Sequence, residues 1–333
     1  MIMFENKRIL ITGGTGSLGM ALTKRLLDEK VDVIRIFSRN ENKQVTMQSE
    51  FNDDRLRFLI GDVRDLPRLQ RALEGIDIVF HTAALKHVPI IEYNPFEAIN
   101  TNVIGSRNVI EACLSENVDR VVGVGTDKAV SPLNTYGATK LLMEKLFTTA
   151  SNYLDKDKHK TKFISLRYGN VLGSSGSVIP KFIQQIKSNQ KITITDPKMT
   201  RFSITMDEAL DFILESTISG KGSEVFIPKL RAYKIDDVKV ALQELIDNTG
   251  EEKIPVRQGE KFHETLINTD EMRTTLESDT KYMILQKEIS DQEIDKEYPG
   301  FRRITLTKPY SSDVVEKIPI NDLKDILSKS ELL

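Results

Sequence analysis

Short apolar runs alternate with longer amphipathic stretches along the first half of the chain. The apolar runs have the length of buried strands and predict strands at residues 8–12, 32–37, 56–60, 76–82, 120–124 and 162–166. The amphipathic stretches predict helices at residues 20–29, 94–116 and 134–153. Regular alternation of strand and helix is typical of an α/β fold with a doubly wound parallel sheet.

The alternation weakens after Asn170. The pattern then predicts a loop at residues 173–177, a helix at 179–188, a short strand at 191–194 and a helix at 207–219, and it leaves 288–297 as a loop or a surface helix. We therefore predict a large domain over residues 1–170, to which some later segments return. Residues 171–333 are predicted to form mainly a smaller C-terminal α/β substrate-binding lobe and a C-terminal extension.

Three glycines stand between the first predicted strand and the first predicted helix. Glycine at such positions permits a tight turn, a close approach of backbone to a pyrophosphate and close packing of helix on strand, and the helix N-terminus offers amide groups to phosphates. A glycine turn with a purely structural role is the alternative. The strand and helix context favours a dinucleotide-binding Rossmann domain, with contacts from Gly13, Thr15, Gly16, Ser17, Leu18 and Gly19.

The end of the second predicted strand bears on which dinucleotide binds. Ser38 and Arg39 stand where an NAD-selective fold places a carboxylate for the ribose hydroxyl. A hydroxyl and a guanidinium suit a 2′-phosphate, so the sequence favours NADP, with NAD as the alternative cofactor. The competing interpretation of Arg39 is a solvated side chain at a strand end.

Further candidates follow the third and fourth predicted strands, at the carboxyl edge where open α/β sheets bind ligands. A carboxylate there could accept a hydrogen bond from the adenine amino group, and small residues let a cofactor lie against the backbone. His87 equally fits a local structural hydrogen bond. We predict cofactor contacts from Asp62, Val63, Ala83, Ala84 and Lys86, and substrate contacts from Lys86 and His87.

A catalytic grouping follows the fifth predicted strand. Thr126, Asp127 and Lys128 stand at the strand end, and Tyr136 and Lys140 are four residues apart on the next helix, which puts them on one face. A phenol needs a pKa lowered by roughly two to three units to act as a base near neutral pH, and a nearby ammonium can lower it. The alternative is a helix whose exposed face happens to carry a tyrosine and a lysine.

Composition narrows the functional classes. The chain has 333 residues, with 47 Lys and Arg against 49 Asp and Glu, so its overall charge favours neither nucleic acid nor an anionic membrane surface. Its one cysteine, Cys113, excludes an intramolecular disulfide and a cysteine-based metal cluster, and we assign no metal site. No apolar run is long enough to span a membrane, so we expect a cytoplasmic protein.

Several separated motifs together resemble the extended short-chain dehydrogenases/reductases. Within them, the chain is similar to the soluble nucleotide-sugar 4,6-dehydratases that act on UDP-N-acetylglucosamine. The motifs are Thr12-Gly-Gly-Thr-Gly-Ser-Leu-Gly19, Ala83-Ala-Leu-Lys-His-Val-Pro89, Thr126-Asp-Lys-Ala129, Tyr136-Gly-Ala-Thr-Lys140, Arg167-Tyr-Gly-Asn-Val171 and Met199-Thr-Arg-Phe202. Relatives usually carry a serine where this chain has Gly125 and an aromatic residue where it has Ser203.

The resemblance implies a redox-neutral reaction. Tyr136 takes the proton of the C4 hydroxyl while hydride moves to the nicotinamide, water is lost across C5 and C6, and hydride returns to C6. Thr126 orients the C4 oxygen, and Lys140 holds the nicotinamide ribose and lowers the pKa of Tyr136. Asp127 protonates the leaving hydroxyl, and Lys128 must be a neutral amine to remove the C5 proton. A lysine at this position, where retaining relatives carry a glutamate, implies inversion at C5.

The resemblance also implies a UDP-sugar site. Its candidate residues are Asn170 and Lys181 beside the sugar diphosphate, and Arg201, Arg257 and Glu260 for the nucleotide. A UDP-sugar 4-epimerase acting on UDP-N-acetylglucosamine or UDP-glucose is the enzymatic alternative, since it needs the Tyr and Lys pair but no acid and base for C5 and C6. A non-catalytic NADP-binding regulator is the alternative outside enzymes. We expect a homo-oligomer.

Overall fold

The computed structural model describes residues 3–152, 154–155, 158–174, 176–330 and 332–333. Its strands are β1 Arg8–Thr12, β2 Val33–Ser38, β3 Leu56–Ile60, β4 Ile78–His81, β5 Arg120–Val124, β6 Lys162–Leu166, β7 Asn170–Val171, β8 Ile192–Ile194, β9 Thr200–Ile204, β10 Val225–Pro228, β11 Ala232–Lys234, β12 Glu251–Lys253, β13 Thr265–Ile267, β14 Thr275–Glu277, β15 Lys281–Ile284, β16 Arg302–Arg303 and β17 Tyr310–Ser311. The predicted strands of the first half are all present, and β1, β3, β5 and β6 keep their predicted bounds.

The helices are α1 Ser17–Leu27, α2 Glu41–Phe51, α3 Leu66–Leu73, α4 Val88–Tyr93, α5 Pro95–Ala98, α6 Gly105–Ser115, α7 Thr135–Thr149, α8 Val178–Lys187, α9 Met206–Ser219, α10 Ile235–Leu245, α11 Asp291–Glu297 and α12 Ile320–Lys329. The predicted end of α7 at Tyr153, and Ser175 in the predicted loop, lie outside the described residues. No helix in the described part of the chain has both the length and the apolar character needed to cross a membrane.

The long helix predicted at residues 94–116 is wrong as a single helix. A turn of π-helix, Ile99–Ile104, separates α5 from α6. The wider turn lies where Asn102 points inward, and its side-chain amide bridges the backbone of Leu85 and the hydroxyl of Thr139. Gly105 then lets α6 approach the sheet, because a Cβ there would lie 2.6 Å from Val63 Cγ2.

Ten strands of the described residues form the central sheet, in the order β16-β14-β15-β10-β6-β5-β4-β1-β2-β3. The run from β3 to β10 is parallel, with β1 pairing β2 on one side and β4 on the other. The remaining strands β15, β14 and β16 extend the sheet in antiparallel fashion. The parallel sheet is therefore confirmed, and its far edge is built from the second half of the chain.

Both faces of the sheet are covered, as expected for buried parallel strands. In β1, Ile9 and Ile11 join one apolar cluster, while Leu10 joins the cluster on the opposite face. This alternation follows from the strand period of two, which sends neighbouring side chains to opposite faces. The sequence of β1 reads as a continuous apolar run because each face has its own core.

The second half of the chain has a separate apolar cluster, formed mainly by α8, β8, α10 and α12. The short strand pairs β12-β8 and β13-β17 and the three-stranded sheet β11-β9-β7 lie in this half. The segment 288–297 contains a helix, α11, whose N-terminus carries a capping box between Ser290 and Glu293. The loops between these elements bring further polar side chains to the carboxyl edge of the parallel strands.

Candidate active site

The glycine loop between β1 and α1 has the geometry of a phosphate cradle. Gly13 has a φ of 68°, and a Cβ there would lie 2.8 Å from Ala83 Cα. A Cβ on Gly19 would lie 2.5 Å from the carbonyl oxygen of Gly14, so this glycine lets the helix begin against the turn. The helix starts at Ser17, with no side chain capping it at Gly16. Its N-terminal amides thus face a loop of glycines and small residues, which leaves room for the pyrophosphate of a dinucleotide.

The end of β2 places one predicted cofactor residue inward and one outward. Ser38 is buried, and its hydroxyl oxygen accepts a hydrogen bond from Gln44 Nε2 at 3.0 Å. Arg39 is exposed, and its guanidinium lies 3.8 Å from Asp62. The guanidinium can therefore reach a phosphate at the strand end, while the Ser38 hydroxyl is already engaged by Gln44.

Asp62 is held by arginines in this structure. Its carboxylate accepts hydrogen bonds from Arg64 Nη2 at 2.8 Å and from the Arg64 backbone at 2.9 Å. Burial raises the pKa of Asp62, but Arg64 and Arg39 outweigh burial, so that the pKa lies below its usual range. The neighbouring Val63 is buried against Gly105, so it supports the edge of the site through packing.

The loop after β4 carries the next predicted contacts. Ala83 lies directly over Gly13, which brings the two loops together at the centre of the sheet edge. Lys86 and His87 are exposed at the start of α4. A Cβ at Gly176 would lie 2.6 Å from His87 Cε1, so this ring packs against the glycine and serine loop of the second half.

The turn after β5 joins three of the predicted catalytic side chains. Thr126 Oγ1 donates to Asp127 Oδ1 at 2.9 Å, and Lys128 Nζ donates to the same oxygen at 3.0 Å. Asp127 is fully buried, whereas Lys128 is partly exposed. Asn170, predicted beside the sugar diphosphate, accepts from Lys128 Nζ at 3.2 Å. The structure therefore brings these four residues into one hydrogen-bonded group.

Tyr136 lies in the first turn of α7, beside this group. Burial raises the pKa of the phenol, while the Lys128 charge and the Thr126 side chain lower it. Lys140 instead donates to the Val124 carbonyl oxygen at 2.6 Å. The sequence placed both side chains on one helix face, but Lys128 is the cation that acts on the phenol.

Lys140 is buried one helical turn after Tyr136 on α7. Burial is the main influence on this ammonium and lowers its pKa to about 8, against a smaller opposing effect of Glu144. Its remaining polar contact is Met143 Sδ at 3.0 Å. The expectation that Lys140 lowers the pKa of Tyr136 is therefore wrong, because the Lys140 ammonium points to the carbonyl at the end of β5.

Lys128 also differs from expectation, because the structure holds it as an ammonium. Burial lowers its pKa, but the carboxylates of Asp127 and Glu264 outweigh burial and raise the pKa above its usual value. Glu264 Oε1 lies 3.5 Å from Lys128 Nζ. A neutral lysine is therefore not the resting state of this site.

Glu264 lies in the site, although the sequence did not predict it there. This buried side chain lies just before β13, far from Lys128 in the chain, and only the fold brings the two together. The available signal was the density of charged residues in the segment Arg257-Gln-Gly-Glu-Lys-Phe-His-Glu264. Lys261 was missed as well, and it donates to the Val130 carbonyl oxygen at 2.5 Å.

The predicted nucleotide residues converge next to this group. Arg201 is buried, and its Nη2 lies 3.4 Å from Glu260 Oε1 and its Nε lies 3.9 Å from Glu264 Oε1. The Arg257 amide lies 3.3 Å from Glu260 Oε2. Lys181 donates to Thr193 Oγ1 at 2.7 Å, and its pKa is lowered by burial and by the charge of Arg257. Three cations therefore gather at one site that suits a diphosphate.

A family model described as polysaccharide biosynthesis protein matches residues 9–286 of the chain. The chain belongs to this polysaccharide biosynthesis protein family. A UDP-N-acetylglucosamine 4,6-dehydratase (inverting) of Campylobacter jejuni is 45% identical over 296 residues, which are 88% of this chain and 87% of that one. A UDP-glucose 4-epimerase of Rickettsia felis is 39% identical over 331 residues, covering 98% of this chain and 96% of the relative.

A solved structure has the same fold over the whole length of the chain. The X-ray structure of Pen from Bacillus thuringiensis is 39% identical, covers 100% of both chains and superposes with a TM-score of 0.91. The resemblance inferred from the motifs is thereby confirmed at the level of family and fold.

Proposed function

We propose that this member of the polysaccharide biosynthesis protein family is a UDP-N-acetylglucosamine 4,6-dehydratase that inverts C5. The observation that carries the proposal is the hydrogen-bonded Asp127 and Lys128 pair beside the Tyr136 phenol. Exchange of hydride at C4 alone needs the phenol, whereas loss of water across C5 and C6 also needs a proton acceptor and a proton donor. The inverting Campylobacter relative supports the same assignment.

The residues of the site then have the following roles. Tyr136 takes the proton of the C4 hydroxyl, and Thr126, whose side chain lowers the pKa of the phenol, orients the C4 oxygen. Lys140 holds the nicotinamide ribose, since its ammonium has three donors and the Val124 carbonyl takes one of them. Asp127 and Lys128 serve the dehydration. The nicotinamide, when bound, takes the hydride from C4 and returns it to C6.

We propose NADP as the cofactor. The glycine loop fits a dinucleotide, because Cβ atoms at Gly13 and Gly19 would collide with backbone. Arg39 supports the choice of NADP, since its exposed guanidinium can pair with a 2′-phosphate. The other predicted contacts are Thr15, Leu18, Ala84 and the residues already placed at the loop. Calorimetric titration of cofactor-free protein with NADP and with NAD tests the choice, and equal or tighter binding of NAD would refute it.

We propose that the UDP group lies on the cations of the second half of the chain. Arg201 and Arg257 pair with the diphosphate, and Glu260 accepts hydrogen bonds from the uridine ribose. Asn170 and Lys181 flank the sugar diphosphate, and Lys86 and His87 also contact the substrate. The hydrogen bond between Lys128 and Asn170 supports this arrangement, because it ties the sugar end of the site to the dehydration pair.

The product of the purified protein with UDP-N-acetylglucosamine tests the proposed reaction. We expect a product lighter by one water, with no accumulation of reduced nicotinamide, by mass spectrometry and absorbance. In deuterium oxide, deuterium should enter at C5, and proton couplings after reduction of the ketone should report the inverted configuration. A product of unchanged mass with altered C4 would establish the epimerase instead, and retained C5 configuration would refute inversion.

We also propose that the chain forms a homo-oligomer through the surface of α4, α5 and α7. Large apolar side chains are exposed there, among them Ile90, Tyr93, Phe96, Leu133 and Leu142. A contiguous apolar surface of this kind is typical of protein interfaces. Light scattering of the wild type and of a variant with Tyr93 and Phe96 changed to serine tests this proposal.

A further inference from the structure

Ser312, the residue directly after β17, joins two segments of the proposed UDP site. Its side chain is fully buried. The Ser312 hydroxyl oxygen accepts a hydrogen bond from the Glu264 amide at 2.9 Å, and the Ser312 amide donates to the Glu264 carbonyl oxygen at 2.8 Å. The same hydroxyl lies 2.7 Å from Thr200 Oγ1 and donates to the Thr200 carbonyl oxygen at 3.2 Å. Ser312 therefore bridges the start of β9 and the segment before β13.

The Thr200 carbonyl oxygen also holds the guanidinium of Arg201. Arg201 Nη1 donates to this oxygen at 2.8 Å and to the Phe262 carbonyl oxygen at 3.1 Å. The Phe262 carbonyl oxygen accepts from the Thr200 amide at 3.1 Å as well, and Phe262 lies two residues before Glu264. The two carbonyl groups that bind Arg201 thus belong to the two segments that Ser312 joins.

The other edge of the Arg201 guanidinium keeps donors for a ligand. Nη2 lies 3.4 Å from Glu260 Oε1, and Nε lies 3.9 Å from Glu264 Oε1. A charge-assisted hydrogen bond is usually about 2.7–2.9 Å long, so these carboxylates bind this edge only loosely. Nε and Nη2 form a planar fork that suits two phosphate oxygens. The direction of the fork depends on the two carbonyl groups that bind Nη1.

We propose that Ser312 is a positioning residue for Arg201, which directs the guanidinium at the diphosphate and thereby sets the affinity for the UDP group. This inference rests on the proposed function, in which Arg201 pairs with the diphosphate. Ser312 is fully buried, so it acts through Arg201 and does not contact the substrate. The C-terminal part of the chain thus has a role in binding UDP.

The physical basis is the freedom of the arginine side chain. A guanidinium that is already fixed loses little side-chain entropy when a ligand binds to it. Without the Ser312 hydroxyl, the Glu264 amide and the Thr200 carbonyl lose their common partner, and the Arg201 fork can move. A variant without the hydroxyl should therefore bind UDP more weakly. Its KM for the UDP-sugar should change more than its kcat.

The first test compares Ser312→Ala with Tyr310→Phe by calorimetric titration with UDP. We expect Ser312→Ala to bind UDP about tenfold more weakly, the effect of removing one buried hydrogen-bond partner. Tyr310→Phe removes a buried hydroxyl from the same segment, one that accepts from the Leu230 amide and donates to the Leu230 carbonyl oxygen. It should bind UDP as tightly as the wild type. Unchanged affinity in Ser312→Ala, or equal weakening in both variants, would overturn the proposal.

A double-variant cycle tests whether Ser312 acts through Arg201. Arg201→Lys keeps the charge but loses the planar fork, so it should itself weaken UDP binding. Adding Ser312→Ala to Arg201→Lys should weaken binding little further, because the group that Ser312 positions is already gone. Steady-state kinetics of Ser312→Ala should show a raised KM and a nearly unchanged kcat. Additive losses of UDP affinity, or a loss confined to kcat, would contradict this role.

A measurement without ligand separates this proposal from the proposed function. Nitrogen-15 NMR of the arginine Nε–H groups, with Arg201 assigned by its loss in Arg201→Lys, should give a sharp Arg201 signal in the wild type. The signal should broaden or shift in Ser312→Ala and stay unchanged in Tyr310→Phe. An identical signal in wild type and Ser312→Ala would refute the positioning role. Failure of the wild type to bind UDP or to release a dehydrated product would count against the proposed function alone.

Two conservative variants keep the test available if Ser312→Ala is poorly folded. Ser312→Thr retains the hydroxyl and should bind UDP nearly as tightly as the wild type. Ser312→Cys places a thiol there, which is a weak donor and a weak acceptor, so its UDP affinity should fall. Thermal unfolding identifies the variants that are folded at the temperature of the titration. Equal UDP affinity of Ser312→Thr and Ser312→Cys would show that the hydroxyl does not position Arg201.

Discussion

Tyr136 depends on its surroundings for reactivity. Burial raises the pKa of the phenol, and Lys128 is the cation that opposes this effect. The hydroxyl is therefore protonated at rest, and the site must assemble further positive charge before the phenol can accept a proton. The positive charge of a bound nicotinamide would supply it.

Replacing Tyr136 by Phe should reduce turnover by at least about a hundredfold and leave NADP affinity nearly unchanged, because the hydroxyl serves only proton transfer at C4. Lys140→Ala should weaken both turnover and NADP binding. Steady-state kinetics and calorimetry measure these effects. Tyr282→Phe, a change at another buried tyrosine, should leave both values alone. A Tyr136→Phe enzyme with most of the wild-type rate would remove this residue from the chemistry.

His81 is a second residue whose protonation the fold controls. Its ring is buried, with Nδ1 2.8 Å from Thr12 Oγ1 and Nε2 2.9 Å from Ser106 Oγ. Burial and then the charge of Lys140 lower its pKa from 6.5 to about 3. The unfolded chain therefore binds a proton below about pH 6.5 that the folded chain refuses, so stability is present above that pH and falls as pH decreases toward 3.

We expect the buried His81 to reduce the free energy of unfolding by about 2 kcal/mol at pH 5 relative to pH 7.5. His81→Gln should have a smaller loss over this interval, even if it is less stable throughout. Urea unfolding at several pH values measures this. The matched change at the exposed His87, His87→Gln, should retain the wild-type dependence. Identical pH dependence in wild type and His81→Gln would contradict the assignment.

At the residue scale, the sequence predicted which side chains lie close together better than it predicted their charge states and hydrogen-bond partners. Spacing alone placed Tyr136 and Lys140 on one face of α7, but it could not show that the Lys140 ammonium points to the carbonyl of Val124. The charge state of Lys128 depends on Glu264, which is distant in sequence. Such contacts depend on the tertiary fold, so local pattern does not contain them.

At the element scale, the start of α7 joins the turn after β5 to the loop that carries Arg257 and Glu260. Asn134 Oδ1 caps the helix by accepting from the Gly137 amide at 2.8 Å, while its Nδ2 donates to the Gly259 carbonyl oxygen at 2.9 Å. Gly259 has a φ of 73°, which favours glycine, and it lies between Arg257 and Glu260. One side chain therefore positions both the Tyr136 helix and the loop proposed to hold UDP.

Asn134→Ala should cost about 1 kcal/mol of stability through the lost cap and should also raise the KM for the UDP-sugar more than it lowers kcat. Ser290→Ala removes the comparable cap of α11, away from the site, and should cost stability only. Thermal unfolding and steady-state kinetics separate the two effects. Equal kinetic behaviour of the two variants would show that the Asn134 contact with Gly259 does not position the loop.

The strands were predictable because buried parallel strands leave continuous apolar runs, and β1, β3, β5 and β6 have the predicted bounds. The ends of the helices were less predictable than the strands. The first helix begins at Ser17 rather than residue 20, since glycines and small residues hide an N-terminus that has no side-chain cap. The π-helical turn at Ile99–Ile104 follows from the inward turn of Asn102, which depends on partners elsewhere in the chain.

At the scale of the whole molecule, a buried arginine ties the parallel sheet to the C-terminal segment. Arg167 follows β6, and its Nε and Nη2 each lie 2.6 Å from an oxygen of Glu144 on α7. Its Nη2 also donates to Glu271 at 2.6 Å, and its Nη1 donates to the Leu266 carbonyl oxygen at 3.0 Å. The segment that carries Glu264 is thereby fixed to the helix that carries Tyr136. The sequence indicated Arg167 only as part of a motif, because its two carboxylate partners, Glu144 and Glu271, lie far from it along the chain.

Arg167→Met should destabilise the protein by about 3 to 5 kcal/mol, because it leaves Glu144 buried without its cation. The arginine and Glu144 are both almost fully buried, so solvent cannot compensate for the loss. Adding Glu144→Gln to Arg167→Met should recover part of the stability by removing the uncompensated charge, and urea unfolding of the two single variants and the double variant measures the coupling. Since Glu271 and the Glu264 segment lose their anchor in both backgrounds, activity should stay low even where stability returns. Full recovery of activity in the double variant would mean that Arg167 stabilises the fold without positioning the site.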